Sequence, residues 1–512
     1  MSPATRTGRG RHHRGGGPVL PQPPDERDKS SYAWRPRPLP AIAASISALP
    51  IVIAQFWLEI SHPALAIFAW CTVVYLAYQA VTIPMTLACR GFDAGAHSER
   101  VRRWQPTRHP DVDICLPICG ESLAVLRNTW AGVRELADAY PGCAMPLVLD
   151  DGRSDEAREA SAACGFRYVR RPEGRQLGKH GNLNYAFGLT ASPLLVVFDA
   201  GCRPRPDFLA QTLPYFDDPA VGIVQTPRFA RMAPRPTWVE RAALPIAENF
   251  GRVAQVRADR FSAAVCIGSN VVYRRTALAA AGGFALAAGG EEAHAALDVR
   301  RNGYRLKYLP LPLAAGVGPA GLQAFVRQQY RSCRGAMSVA CSRQLWRLPI
   351  PGLARLPYLS GWLGNVVTAL CTLALPLLPV VVLAWLPGDI RTAFAMLLIP
   401  LLVVGLVFWP LWRGARVYPR SWPMSLACGW AQALVMWDFA RGQLSSRSPG
   451  GAVRRIRQGI TVWNGGLGLA WIALAGWRFA QAGSWPSAVA IALGLVYLVL
   501  VGRLILSGNG AA

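Results

Sequence analysis

Long apolar runs frame one polar stretch, and that alternation limits the fold more than any other feature of the chain. A helix that crosses a bilayer needs about 20 mostly apolar residues. Such runs lie before Arg90 and after Gly361, and the residues between them hold most of the acids. One water-soluble domain does not account for this pattern: 52% of the 512 residues are hydrophobic, only 16% are charged, and the mean hydropathy is +0.23.

Residues 41–58, with Pro50 as a kink, and 64–88 predict a tight helical hairpin. Arg35 and Arg37 precede it, and Arg90, Arg100, Arg102 and Arg103 follow it, so both outer ends are expected on the cytoplasmic side. Residues 361–386 and 392–411 predict two more spans, and 461–477 and 487–501 a last hairpin. The short run 422–437 has basic residues at both ends and reads as an interfacial helix. The expectation is six spans with both termini inside, or seven if 422–437 crosses. The chain divides into a disordered basic tail (1–38), two spans (39–90), a cytoplasmic domain (91–342), and a region of interfacial helices and about four spans (343–512).

The formal charge is +25, from 54 Lys and Arg against 29 Asp and Glu. Arg413, Arg416, Arg420, Arg454, Arg455 and Arg457 lie beside apolar runs, which points to cytoplasmic loops of a membrane protein and away from a nucleic-acid patch. The 12 cysteines are scattered, and Cys115 and Cys119 have no second pair at metal-site spacing. They read as small buried residues in a reducing compartment.

Within the polar stretch, β-rich runs at 112–116, 146–149, 194–198 and 221–224 alternate with helical patterns, predicting a mostly parallel sheet covered by helices. Ligands bind at the carboxyl ends of such strands. Asp150, Asp199 and Gln225 lie at those ends, so one shared cleft follows.

Five clusters occur in order: Asp150-Asp151-Gly152, Asp199, Gln225-Thr226-Pro227, Glu291-Glu292, and Gln328 with Arg331. Gly178-Lys179-His180-Gly181-Asn182-Leu183-Asn184 falls between the first two, and Cys266-Ile267-Gly268-Ser269-Asn270 before the fourth. Together they resemble the processive family 2 glycosyltransferases, to which cellulose, hyaluronan and chitin synthases belong.

The resemblance implies an α/β GT-A-like domain, Rossmann-like with a mostly parallel sheet, on an α-helical transmembrane bundle. It implies that Asp150, Asp151, Lys179, Asp199, Gln328 and Arg331 bind the nucleotide-sugar. Gln225, Thr226, Cys266, Gly268 and Ser269 would line the acceptor site. Glu292, with Glu291 as second candidate, would be the catalytic base, and Asp199 would hold Mg²⁺ or Mn²⁺.

Three motifs depart from the family. Gly201 replaces the second acid of Asp-x-Asp, leaving Arg203 and Arg205 as candidate sources of positive charge. Glu292 stands in place of an aspartate, and Ser332 in place of a stacking Trp. Tyr330 lies on another helix face and cannot replace that Trp.

The implied activity is inverting transfer from a UDP-linked sugar to a growing β-linked polysaccharide, with export. The setting would be a bacterial-type inner membrane, multi-pass, with the catalytic domain cytoplasmic and accessory subunits of an exopolysaccharide system as partners. Two alternatives are a degenerate member serving as scaffold in polysaccharide assembly, and a single-sugar transferase to a lipid acceptor.

Overall fold

The computed structural model describes residues 20–32, 49–89, 91–172, 177–234, 236–286, 290–391, 421–443, 449–483 and 485–507. The span expected at 392–411 lies outside them, as do residues 1–19 of the tail.

The polar stretch folds into an α/β domain built on a sheet of seven strands. In chain order its strands are β1 (Val112–Ile118), β2 (Ala144–Asp150), β3 (Arg167–Val169), β4 (Leu194–Val197), β6 (Val221–Gln225), β8 (Val271–Arg274) and β9 (Arg305–Tyr308). Their spatial order is β3-β2-β1-β4-β8-β6-β9, with β8 alone antiparallel to its neighbours. A smaller sheet joins β5 (Arg203–Pro204), β10 (Ala314–Val317) and β7 (Phe229–Arg231). The GT-A-like expectation of a mostly parallel sheet holds.

The two-residue period of a strand explains why β4 is apolar throughout. Leu194 and Val196 enter the core on one face of the sheet, while Leu195 and Val197 enter the core on the other. β2 divides likewise, with Val148 on the first face and Leu147 and Leu149 on the second. Each fully buried side chain of this size contributes about 1.5–3 kcal/mol. Helices on both faces leave the carboxyl edge of β1, β2, β4 and β6 as the open end of the sheet.

Among the described residues, three helices are long and apolar enough to cross a membrane, Ala69–Ala88, Gly451–Ala482 and Trp485–Leu506. The pair Gly352–Leu373 and Leu377–Trp385, bent by 40°, makes a fourth if it is one broken span. These are the dimensions of a membrane protein. Trp70, Val462 and Leu506 are 70% exposed or more, as lipid-facing residues are.

The Trp422–Ala440 helix, expected to be interfacial, is packed closely against the rest of the chain. Met424, Ala427, Ala431 and Val435 are fully buried, and Asp438 accepts a 2.6 Å bond from the Tyr330 hydroxyl. Small residues let this helix approach its neighbours closely.

The basic tail differs most from expectation. Residues 20–32 are docked as a strap ending in the helix Glu26–Tyr32. Arg231 donates to the Gln22 and Pro23 carbonyls and to Asp28; Arg205 donates to the Pro24 carbonyl and pairs with Glu26 and Asp207. Lys29 Nζ lies 3.0 Å from Asp207. Tyr32 is 1% exposed, with the Arg252 guanidinium 4.2 Å from its ring centroid. A composition typical of disorder is thus held by arginines that meet its backbone carbonyls. Tyr32→Ala should lower stability by about 3 kcal/mol, by analogy with other buried aromatic truncations. Faster proteolysis of residues 20–32, alongside a lower melting temperature, would report it.

Candidate active site

The open edge of the sheet gathers side chains from five segments. β4 runs into Asp199, whose backbone N–H donates to Ser269 Oγ at 2.9 Å. The helix Gly178–Leu189 starts beside it and brings Lys179 Nζ to 2.5 Å from Asp199 Oδ1 and 2.7 Å from the Gly268 carbonyl. After β6, Arg228 Nη2 reaches Asp199 Oδ2 at 3.0 Å.

The loop 266–270 crosses this edge, and the helix Glu291–Arg301 opens against it. Gly268 has φ +73, and a Cβ there would lie 2.2 Å from Glu292 Cγ. Only glycine allows the loop to pass so close to Glu292.

Glu292 is half-buried, with His180 behind it. His180 Nδ1 donates to the Ala285 carbonyl at 2.8 Å, which fixes the ring and points Nε2 at Glu292 Oε1, 3.7 Å away. Burial pushes the Glu292 carboxyl up. The His180 ring, the Lys179 ammonium and the backbone N–H of Glu292 outweigh it and hold the group at about 2, below its ordinary 4.5. Glu292 is therefore an ionised carboxylate facing the cleft.

Asp150 and Asp151 do not reach the cleft. Asp150, 1% exposed, accepts bonds from the N–H groups of Gly152 (2.6 Å), Arg153 (3.0 Å) and Ser154 (2.8 Å) and from the Tyr168 hydroxyl (2.5 Å). Asp151 is clamped by Arg171, with Nη2 2.9 Å from both carboxylate oxygens. A buried carboxylate must be satisfied, and here the surrounding turn does it. Both acids shape this turn through these contacts.

The residues expected to line the acceptor are also turned inward, apart from Gly268. Gln225 is fully buried; its Nε2 donates to the Thr226 and Ser269 carbonyls at 2.8 Å, and its Oε1 accepts from Ile267 N at 2.9 Å. Thr226 Oγ1 donates to the Asn270 carbonyl at 3.0 Å, and the Cys266 thiol faces the Tyr273 hydroxyl at 3.1 Å. Ser269 is fully buried against Asp199. These residues brace the loop, and Gly268 alone presents backbone to the site.

Arg331 is exposed and Gln328 half-buried on the helix Leu322–Ala340, and neither joins the Asp199 cluster. That helix touches the start of the Glu291–Arg301 helix through glycines: a Cβ at Gly290 would lie 2.6 Å from Gly335 Cα. Arg203 and Arg205 face away from Asp199. Arg203 holds Asn128 and Glu135, while Arg205 holds the strap. Glu291 begins the helix in its first turn.

The side chains around Asp199 do not fit a divalent cation. A hard cation wants several oxygen ligands. Both Asp199 oxygens already face cations, and Gly201 offers no carboxylate. Among the described residues no group of three or more His, Cys, Asp or Glu could hold a metal ion. The expectation that Asp199 carries the metal is not met by this donor set.

Arg228, Arg171 and His180 escaped notice as functional residues. Arg228 directly follows the Gln225-Thr226-Pro227 cluster, and a cation there was the available signal. Arg171 lies 20 residues from its partner Asp151, where local sequence carries no sign of the pairing.

Residues 194–411 match the family described as "Glycosyl transferase family group 2". Cellulose synthase 1 of Komagataeibacter xylinus is 34% identical over 239 residues, 46% of this chain and 15% of that protein. The cellulose synthase catalytic subunit [UDP-forming] of Pseudomonas fluorescens (strain SBW25) is 33% identical over 241 residues, 46% of this chain and 32% of that protein. The matched region is thus a third or less of either relative's length. Among solved structures, the mannosyltransferase PcManGT from Pyrobaculum calidifontis, in complex with GDP-Man and Mn²⁺, aligns over 86% of this chain and 98% of its own at 16% identity, with a TM-score of 0.40.

Proposed function

We propose that this chain is a cellulose synthase-like family 2 glycosyltransferase, as its similarity to that family supports, and that it transfers a sugar with inversion from a UDP-linked donor to a growing β-glucan. The supporting observation is the convergence of Glu292, Lys179 and Asp199 around Gly268 at the carboxyl edge of the sheet. The cellulose synthase catalytic subunit it resembles is UDP-forming, which supports the choice of donor.

The acceptor hydroxyl approaches Glu292, which takes its proton. Its oxygen bonds to the anomeric carbon as the bond from that carbon to the diphosphate oxygen breaks on the opposite face. The diphosphate leaves with the electron pair, and Lys179 meets the developing charge, with Arg331 as a second cation brought in by the Leu322–Ala340 helix. His180 and the loop glycine set the position of the base. The product leaves through the helical half.

A second reading, a binding subunit without turnover, is favoured by one observation: Ser332 is exposed where a stacking aromatic is expected. Purified full-length protein, given UDP-glucose, UDP-N-acetylglucosamine and GDP-mannose in turn, should release UDP from UDP-glucose and form β-linked product. UDP binding without release from any donor would sink the enzymatic reading and leave the binding one.

A further inference from the structure

Asp199 is enclosed by two cations of different reach. Lys179 comes from the helix start with its side chain 27% exposed; Arg228 comes from the loop after β6 with its side chain 46% exposed. Both can turn from one carboxylate toward a ligand in the cleft. Two positions along, the chain departs from what a cation would require. Gly201 has φ +84, and a Cβ there would meet only Val125 Cγ1, at 3.5 Å. There is room for a side chain, but the left-handed backbone disfavours one. The next residue, Cys202, is 6% exposed, and burial pushes its thiol up to about 11. It is a neutral thiol inside the domain, unsuited to a hard cation.

Charge gives the reason for this arrangement. A dication between two carboxylates beside a lysine leaves one net positive charge for an incoming diphosphate. A lysine and an arginine beside one carboxylate leave the same. The guanidinium adds a planar fork that can grip two phosphate oxygens at once. We propose that Lys179 and Arg228 together take the place of a divalent cation, so that a nucleoside diphosphate binds and departs here without a metal ion. The inference rests on the nucleotide-sugar reading above and goes beyond it by making Arg228 a diphosphate-binding residue.

Calorimetric titration of the full chain in detergent with UDP and with GDP, in EDTA and again in MnCl₂, tests it. One of the two nucleotides should bind with affinities within twofold in the two buffers. Arg228→Ala should weaken that binding roughly tenfold or more in EDTA, as loss of a charge-assisted contact does. Arg228→Lys should recover part of the loss. Arg228 is nearly half exposed, so the variants should melt like wild type. Binding seen only with Mn²⁺, or Arg228→Ala binding like wild type, would overturn the metal-free site while leaving the glycosyltransferase reading in place. If neither nucleotide binds in either buffer, the nucleotide-sugar reading fails and this inference fails with it.

Discussion

Glu292→Gln should lower sugar transfer by roughly two to four orders of magnitude, the usual contribution of a positioned general base. Glutamine keeps the shape of the side chain beside Gly268 and removes its capacity to take a proton. UDP affinity should stay near the wild-type value, so the loss falls on turnover. The pH dependence has a definite sign. The folded-state group titrates at about 2, below its ordinary 4.5. Its contribution to stability is therefore present above pH 4.5 and lost as pH falls through 2. The base is ionised throughout the working range, and an acid limb in the rate near pH 5 would have to come from another group. Donor binding also acts on it. A diphosphate that draws the Lys179 charge toward itself removes part of what holds Glu292 down and makes it a better base. Transfer by Glu292→Gln at the wild-type rate would remove Glu292 from the mechanism and make Glu291 the next base to test.

The second large effect is structural. Arg171→Ala should cost about 3–5 kcal/mol, because it leaves the Asp151 carboxylate buried without its clamp. Asp151 and Arg171 have side chains only 5% and 4% exposed. Arg171→Leu combined with Asp151→Leu should be much milder than either change alone, because the pair then leaves together. Chemical denaturation of wild type, Arg171→Ala, each single leucine variant and the double variant gives the comparison. A loss of UDP binding in Arg171→Ala without any loss of stability would mean that the acid pair meets the nucleotide after all.

The strands were the legible part of this fold. Runs such as those ending at Asp150 and Asp199 are rich in Val and Leu because both faces of the sheet are covered, and a buried strand has no other composition available. Strand ends placed Asp150, Asp199 and Gln225 at one edge, whereas Lys179 and Glu292 joined Asp199 only through the family resemblance. The direction of a carboxylate could not be read. Asp-Asp-Gly has the same letters whether its acids face a nucleotide or the N–H groups of their own turn. Arg205 and Arg231 read equally well as free cations, and their work on the strap depends on partners 179 to 209 positions away. The basic flanks of the Trp422–Ala440 helix are visible in sequence, while the close packing of Ala427 and Ala431 is not.

The strap also imposes an order of assembly. Its anchors include Asp207, Arg231 and Arg252, so it is synthesised first and can be seated only after the small sheet exists. At roughly 5–20 residues per second, it must wait on the order of tens of seconds while everything between is made. A ribosome-bound intermediate would carry residues 20–32 as a free peptide, open to capture by a chaperone or a protease.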